Sequence, residues 1–300
     1  MLKRYLVALA LLPSLLIAQD DLLSELEGDA GQETDYAFAT WKGTKVVNLQ
    51  TNELPGAGVL QYTILHRFGS FSEDFMYNFL GLNNAQVRLT LDYSPTEWLN
   101  LGLGHTGFQK TYDGFVKYRL LRQSKGAINM PVSVTGFSSA YYSALRYDEQ
   151  DFERNLGRRM SYVHELIIAR KFNQNFSAQV VPTVIHTNLS QTFEDANTQI
   201  AIGLAARYKI TAMHAITVEW VPILNGNSYI DPEAADGFSP YNNALSIGMD
   251  IETGGHVFQL FITNARGVAE PYAFTQTPGS WLEGDLHFGF NISRVFTMTH

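Results

Sequence analysis

Cysteine is absent from the sequence, which removes a disulfide scaffold, a thiolate zinc site, a cysteine nucleophile and a lipid anchor attached through a cysteine. Charge is scarce as well: 17% of the 300 residues are Asp, Glu, Lys or Arg, against about 25% in an ordinary globular chain. Long apolar runs do not make up the difference. Without repeated stretches of about 20 apolar residues, a polytopic helical membrane protein is excluded. Aromatic residues at 13% are too many for a disordered chain.

Lys3 and Arg4 precede a short apolar core ending at Ala18, after which Gln19, Asp20 and Asp21 turn the chain acidic. That order predicts a secretory signal peptide over 1–18, since the core is too short to span a bilayer. Loss of Lys3 and Arg4 leaves 19 basic against 29 acidic residues, so the exported chain carries -10. Nucleic acid is therefore not an expected partner. Residues 19–35 read as an acidic flexible segment, with docking of a periplasmic partner through residues 20–35 as the alternative.

From residue 59 onward the sequence alternates with period two. Ala85, Val87, Leu89 and Leu91 share one parity, and Gln86, Arg88, Thr90 and Asp92 the other; Leu245 to Ile251 and Leu286 to Ile292 repeat the pattern. Twelve strands are predicted: 59–68, 85–93, 98–108, 112–122, 129–142, 159–171, 176–188, 197–209, 213–224, 242–251, 255–264 and 282–296. Most reach the roughly 9–11 residues that a tilted strand needs to cross a bilayer. Their connections alternate short and long, as in an outer-membrane barrel with short periplasmic turns and long external loops. The exception is the connection 109–111, unusually tight for an external turn. Segments 143–158, 225–241 and 265–281 are expected to be exposed outside the cell.

Trp98, Tyr93, Phe172, Phe176, Tyr208, Trp281, Phe296, Phe68 and Phe108 fall at strand ends, where interface girdles belong. Phe288, Phe290, Ile292 and Phe296 share one parity of the last strand and resemble a C-terminal sorting signal of such barrels, with Arg294 departing from it. The expected fold is thus an all-β transmembrane antiparallel barrel of about 12 strands over 59–300. Residues 36–58, with 44–50 strand-like, are expected to form a periplasmic latch or plug, with a thirteenth strand as the alternative that strand parity disfavours.

Motifs with chemical content are few. Gly102, Gly104 and Gly107 spell G-x-G-x-x-G inside an alternating strand with no helix to follow, so they read as small lumenal or bulge residues rather than a nucleotide site. The histidines show no metal-ligand spacing, no serine lies two residues from any of them, and no G-x-S-x-G elbow occurs. No cofactor, metal or catalytic residue is expected.

The polar parity carries the most informative pattern. Arg67, Arg88, Lys117 and Arg119 lie on strands one, two and four; Glu219, Asp250, Glu252, Glu283 and Asp285 lie on strands nine, ten and twelve. Charge on a bilayer-crossing strand is costly unless it faces a wet or paired interior, so these nine residues form a candidate lumen cluster. With strand twelve beside strand one, Glu283 and Asp285 are expected to approach Arg67 and Arg88. A structural ion-pair network is favoured over a transverse field that orients a solute.

His66-Arg67-Phe68-Gly69, Phe79-Leu80-Gly81-Leu82-Asn83, Tyr112-Asp113, Lys117-Tyr118, Leu121-Arg122-Gln123-Ser124 and Trp41-Lys42-Gly43-Thr44 resemble a family of membrane-bound β-barrel domains of unknown function. The resemblance implies an outer-membrane barrel and brings no activity with it. The expectation is a narrow channel or binding barrel for a small solute or lipid, set in outer-membrane lipid of a Gram-negative bacterium. The alternatives are an outer-membrane enzyme of lipid-hydrolase type and a structural or adhesive barrel without transport.

Overall fold

The computed structural model describes residues 33–71, 81–146, 155–190, 196–226, 228–230 and 238–298. The signal peptide 1–18 and nearly all of the acidic segment 19–35 lie outside the described residues. Twelve strands pair antiparallel with their sequence neighbours: β1 (Val59–Ser70), β2 (Gln86–Thr96), β3 (Leu99–Thr106), β4 (Thr111–Leu121), β5 (Ser133–Ser143) and β6 (Met160–Lys171). They continue with β7 (Phe176–Thr187), β8 (Thr198–Lys209), β9 (His214–Val221), β10 (Ala244–Thr253), β11 (His256–Thr263) and β12 (His287–Thr297). β12 pairs β1 from Thr297↔Val59 to His287↔Ser70, and the sheet is a closed barrel. Closure leaves the wall without an edge, so every strand finds its hydrogen bonds within the wall.

The two-residue period decides which side chains face out. On β2, Leu89 and Leu91 are exposed while Arg88, Thr90 and Asp92 are buried. Leu103, Val184, Leu204, Ile247 and Ile262 continue the exposed apolar band around the wall. Such a continuous band on a closed sheet is the surface a bilayer solvates. No helix among the described residues is long and apolar enough to cross a membrane. Leu103, 69% exposed on β3, tests the assignment. Leu103→Arg is expected to cost about 2–4 kcal/mol, as a cation facing the bilayer interior does; chemical denaturation in lipid vesicles measures it, and a neutral outcome would place this face in water.

The barrel end where β1 begins and β12 ends carries the tight turns 97–98, 172–175, 210–213 and 254–255. At the other end the connection 107–110 is indeed tight, and it closes because Gln109 (φ 52°) and Lys110 (φ 48°) adopt the left-handed conformation. The connection 122–132 is longer than the sequence pattern predicts. Pro131 ends the ladder there, and Ser124–Lys125 instead pair with Asp35–Tyr36, which brings the chain ahead of the barrel to this mouth.

The segment 265–281, expected outside the cell, is folded inward. It contains α1 (Glu270–Thr275), all six residues of which are buried. Its apolar Val268, Ala269, Tyr272 and Phe274 explain the difference, because they join a core with Phe137, Tyr141, Val163, Ile185 and Val221 of the wall or pack beside it.

Candidate functional site

The lumen is filled from both ends. From the termini end enters a tight hairpin, Lys45 to Gln50, closed by Val46 N–H to the Leu49 carbonyl at 2.9 Å and Thr51 N–H to the Thr44 carbonyl at 3.0 Å. Trp41, Val46 and Leu49 are buried against the wall, Leu49 lying on the Cα of Gly203. A segment with so little secondary structure must find partners elsewhere for its backbone. Those partners are wall side chains. Gln259 Nε2 donates to the carbonyls of Lys45 (3.0 Å) and Val46 (2.8 Å), Gln179 Nε2 to Gln50 (2.8 Å), Asn291 Nδ2 to Val47 (3.2 Å), and Lys117 Nζ to Thr44 (3.0 Å) and Glu53 (2.9 Å).

The hairpin tip gathers three successive N–H groups on one carboxylate. Val47, Asn48 and Leu49 donate to Glu219 at 3.1, 2.9 and 2.9 Å, and Asn48 Nδ2 adds a fourth donor at 2.8 Å. Convergent N–H dipoles stabilise this buried anion, with the Arg67 guanidinium beyond Asn48 as counter-charge, so Glu219 holds the tip in place at the wall.

From the opposite end comes α1, and Glu270 is where it meets the hairpin. Its carboxylate accepts from Tyr141 Oη (2.6 Å), from Gln50 Nε2 (2.8 Å) and from Arg88 Nη1 (3.3 Å), and pairs with Lys45. Arg88 in turn holds Asp113 at 2.7 Å, with both side chains wholly buried. Two cations thus face two carboxylates. Burial pushes the Glu270 carboxyl up, but Lys45 and Arg88, with hydrogen bonds from Lys45 and Tyr141, outweigh it and hold the group well below the usual carboxylate range.

The nine residues singled out from sequence divide among these contacts. Arg67 donates to Asn48 Oδ1 (3.0 Å) and Asn291 Oδ1 (3.2 Å) and lies 4.1 Å from the Phe261 ring centroid. Arg88 joins the Glu270 network, Lys117 holds the hairpin backbone, and Glu219 holds its tip. Asp250 accepts from Gln259 at 2.9 Å and stands 3.9 Å from Arg207. Arg119 donates to the Glu97 carbonyl at the mouth (2.8 Å), and Glu252 pairs there with Lys42.

Glu283 and Asp285 do not meet Arg67 and Arg88. β12 begins only at His287, so Glu283 sits in an exposed turn and Asp285 accepts from Ser70 Oγ above the wall. The arginines take their partners from the hairpin, from neighbouring strands and from α1 instead. Sequence reasoning also missed Asp113, Glu165 and Arg207, which sit on the inward parity. It missed Lys45 and Glu270, which have no periodic signal because they lie outside strands.

The glycines of the false nucleotide motif have a packing role. A Cβ at Gly102 would occupy the Phe115 ring, and one at Gly104 the Asp113 carboxylate, while Gly107 lies in open space at a turn. Gly104→Ala is expected to push Asp113 off Arg88 and to cost about 1–3 kcal/mol from overpacking, whereas Gly107→Ala leaves stability unchanged. Paired denaturation curves decide it, and equal losses at both positions would refute the packing role. Among the described residues no group of three or more His, Asp or Glu side chains is placed to hold a metal.

One serine and histidine do meet across strands. His164 Nδ1 lies 3.0 Å from Ser138 Oγ, midway along β6 and β5 on the outward face. Among the described residues no carboxylate or amide bonds the ring to orient it as a base.

The chain belongs to the family described as membrane bound beta barrel domain (DUF5777), whose model matches residues 41–296. That span includes both the hairpin and the barrel. No curated protein matches the sequence. Among solved structures, the COG4313 outer membrane channel from Pseudomonas putida F1 is 13% identical over 81% of this chain and 97% of its own, with a TM-score of 0.49. The NanC porin is 9% identical over 79% of this chain and 98% of its own, with a TM-score of 0.47. The CymD monoaromatic hydrocarbon channel is 10% identical over 82% and 90%, with a TM-score of 0.37.

Proposed function

We propose that this protein is a narrow outer-membrane channel for a small solute, exported by its N-terminal signal peptide and closed at rest by its own hairpin and α1. The observation that carries the reading is the nature of the filling. A barrel built only for strength fills its lumen with side chains of its wall. Here much of the filling is the hairpin, covalently continuous with the wall only where the chain runs on into β1 and held by hydrogen bonds to wall side chains rather than by strand pairing, while α1 enters from the opposite end as part of the connection between β11 and β12. Such a hairpin is removable in principle without dismantling the wall. The reading is non-enzymatic, because Ser138 and His164 face the bilayer interior away from water and from the depth of lipid ester groups.

The test is reconstitution. The purified protein is expected in the outer-membrane fraction, with different gel mobility before and after boiling, and in planar bilayers it should show a low conductance with brief openings. Hydrolysis of phospholipid by the reconstituted protein, abolished by Ser138→Ala, would support the enzyme reading in its place.

A further inference from the structure

The termini end of the lumen contains a buried arginine, Arg207, which lies within ion-pair distance of Asp250 yet keeps two of its donors without hydrogen bonds among the described residues. The register sets Lys171, Ser177, Arg207 and Thr217 in one row across β6, β7, β8 and β9. Neighbouring strands are about 4.8 Å apart, so Thr217 adjoins Arg207 on one side and Lys171 lies two strands away on the other, a gap that its long side chain can span. Lys209 follows two residues nearer the mouth on the same inward parity of β8.

Arg207 is 2% exposed, and among the described residues its Nε and Nη2 have no hydrogen-bond partner. Its nearest carboxylate, Asp250, is 3.9 Å from Nε, too far for a hydrogen bond. Thr217 Oγ1, beside it in the row, is also without a partner. Lys171 Nζ donates to the Phe38 carbonyl at 2.6 Å, a contact that brings no counter-charge. Around this point Arg207, Lys171, Lys209 and Lys42 face Asp250, Glu252 and Glu53, and Glu252 is taken by Lys42. The local balance is positive in a chain whose net charge is -8.

A guanidinium fork with two open donors, flanked by two lysines and a hydroxyl, matches an oxyanion, which accepts parallel hydrogen bonds from such a fork. We propose that Arg207, Lys171, Lys209 and Thr217 form a binding site for a small oxyanion, a carboxylate or a phosphate, at the termini end of the lumen. The site stands independently of whether the barrel conducts.

Titration calorimetry of the full-length protein in detergent, at constant ionic strength, tests it with sodium phosphate and sodium acetate in separate arms and sodium chloride as control. One of the two oxyanions should give saturable heat at one site per chain, and chloride none; the responding arm identifies the class. Arg207→Gln should weaken binding about tenfold or more, and Lys209→Gln by about threefold, with Lys209→Arg restoring it. Lys110→Gln, at the opposite end, should leave it unchanged. Absence of saturable heat in both arms overturns the site. So does unchanged affinity in Arg207→Gln, or in Lys209→Gln where the arginine variant fails to fold.

Discussion

Glu270→Ala is expected to destabilise the protein and open it in the same step. The change removes the one carboxylate that joins α1 to the hairpin through Lys45 and Gln50 and to the wall through Arg88 and Tyr141. Asp113 alone then offsets Arg88, and Lys45 is left buried without its partner. Breaking a buried pair in this way costs about 3–5 kcal/mol, which denaturation in lipid would show as an early loss of the lumenal contacts. Conductance should rise at least about tenfold, because both closing segments lose their common anchor. The acid limb carries a second signature. The folded Glu270 carboxyl is held below its usual range, so its contribution is complete above about pH 4.3 and fades only as the pH falls further toward the folded value. Glu270→Gln should flatten that limb. A Glu270→Ala protein as stable and as silent as the parent would dissolve the network as an energetic unit.

Deleting residues 40–54 is expected to have the largest effect on passage. The wall keeps all twelve strands, since the hairpin contributes no ladder bonds to it. Glu219, Gln179, Gln259, Asn291 and Lys117 lose their partners in the hairpin and gain water instead, so the lumen gains a polar path lined from β4, β7, β9, β11 and β12. Single-channel current should exceed that of the intact protein by at least about tenfold, with the heat-dependent gel shift retained. A deleted barrel that keeps its gel shift and stays silent would show that the hairpin is not what closes the lumen, and α1 would then be the barrier.

The wall could be read from the sequence because strand burial has a period of two residues and barrel turns alternate in length. Arg67, Arg88, Lys117, Glu219 and Asp250 fell on the inward parity for that reason. The filling had no such signal. Thr44 to Gln50 alternates like a strand, yet it bends into a hairpin because Glu219 gathers the N–H groups of its tip, a contact across 170 positions of sequence that no local pattern encodes. Val268, Ala269, Tyr272 and Phe274 looked like an external loop, since loop length suggests exposure and only the space inside the wall reveals where apolar residues go. The error at Glu283 and Asp285 has the same origin. Strand ends are set by where the partner strand stops, and β12 stops short of them.

The seam between Val59 and Thr297 imposes an order on biogenesis. The first strand cannot find its final neighbour until the last has arrived, so the cylinder is completed from chain that is already whole. The hairpin precedes β1 and carries its bulky Trp41 and Leu49 into the centre. Wrapping the sheet around a hairpin already lying on β8 and β9 avoids threading it later through a finished mouth. Most of the wall's contacts are local hairpins and form early, while the seam joins the two ends of the chain and carries the largest loop-closure entropy, which makes it the slow step.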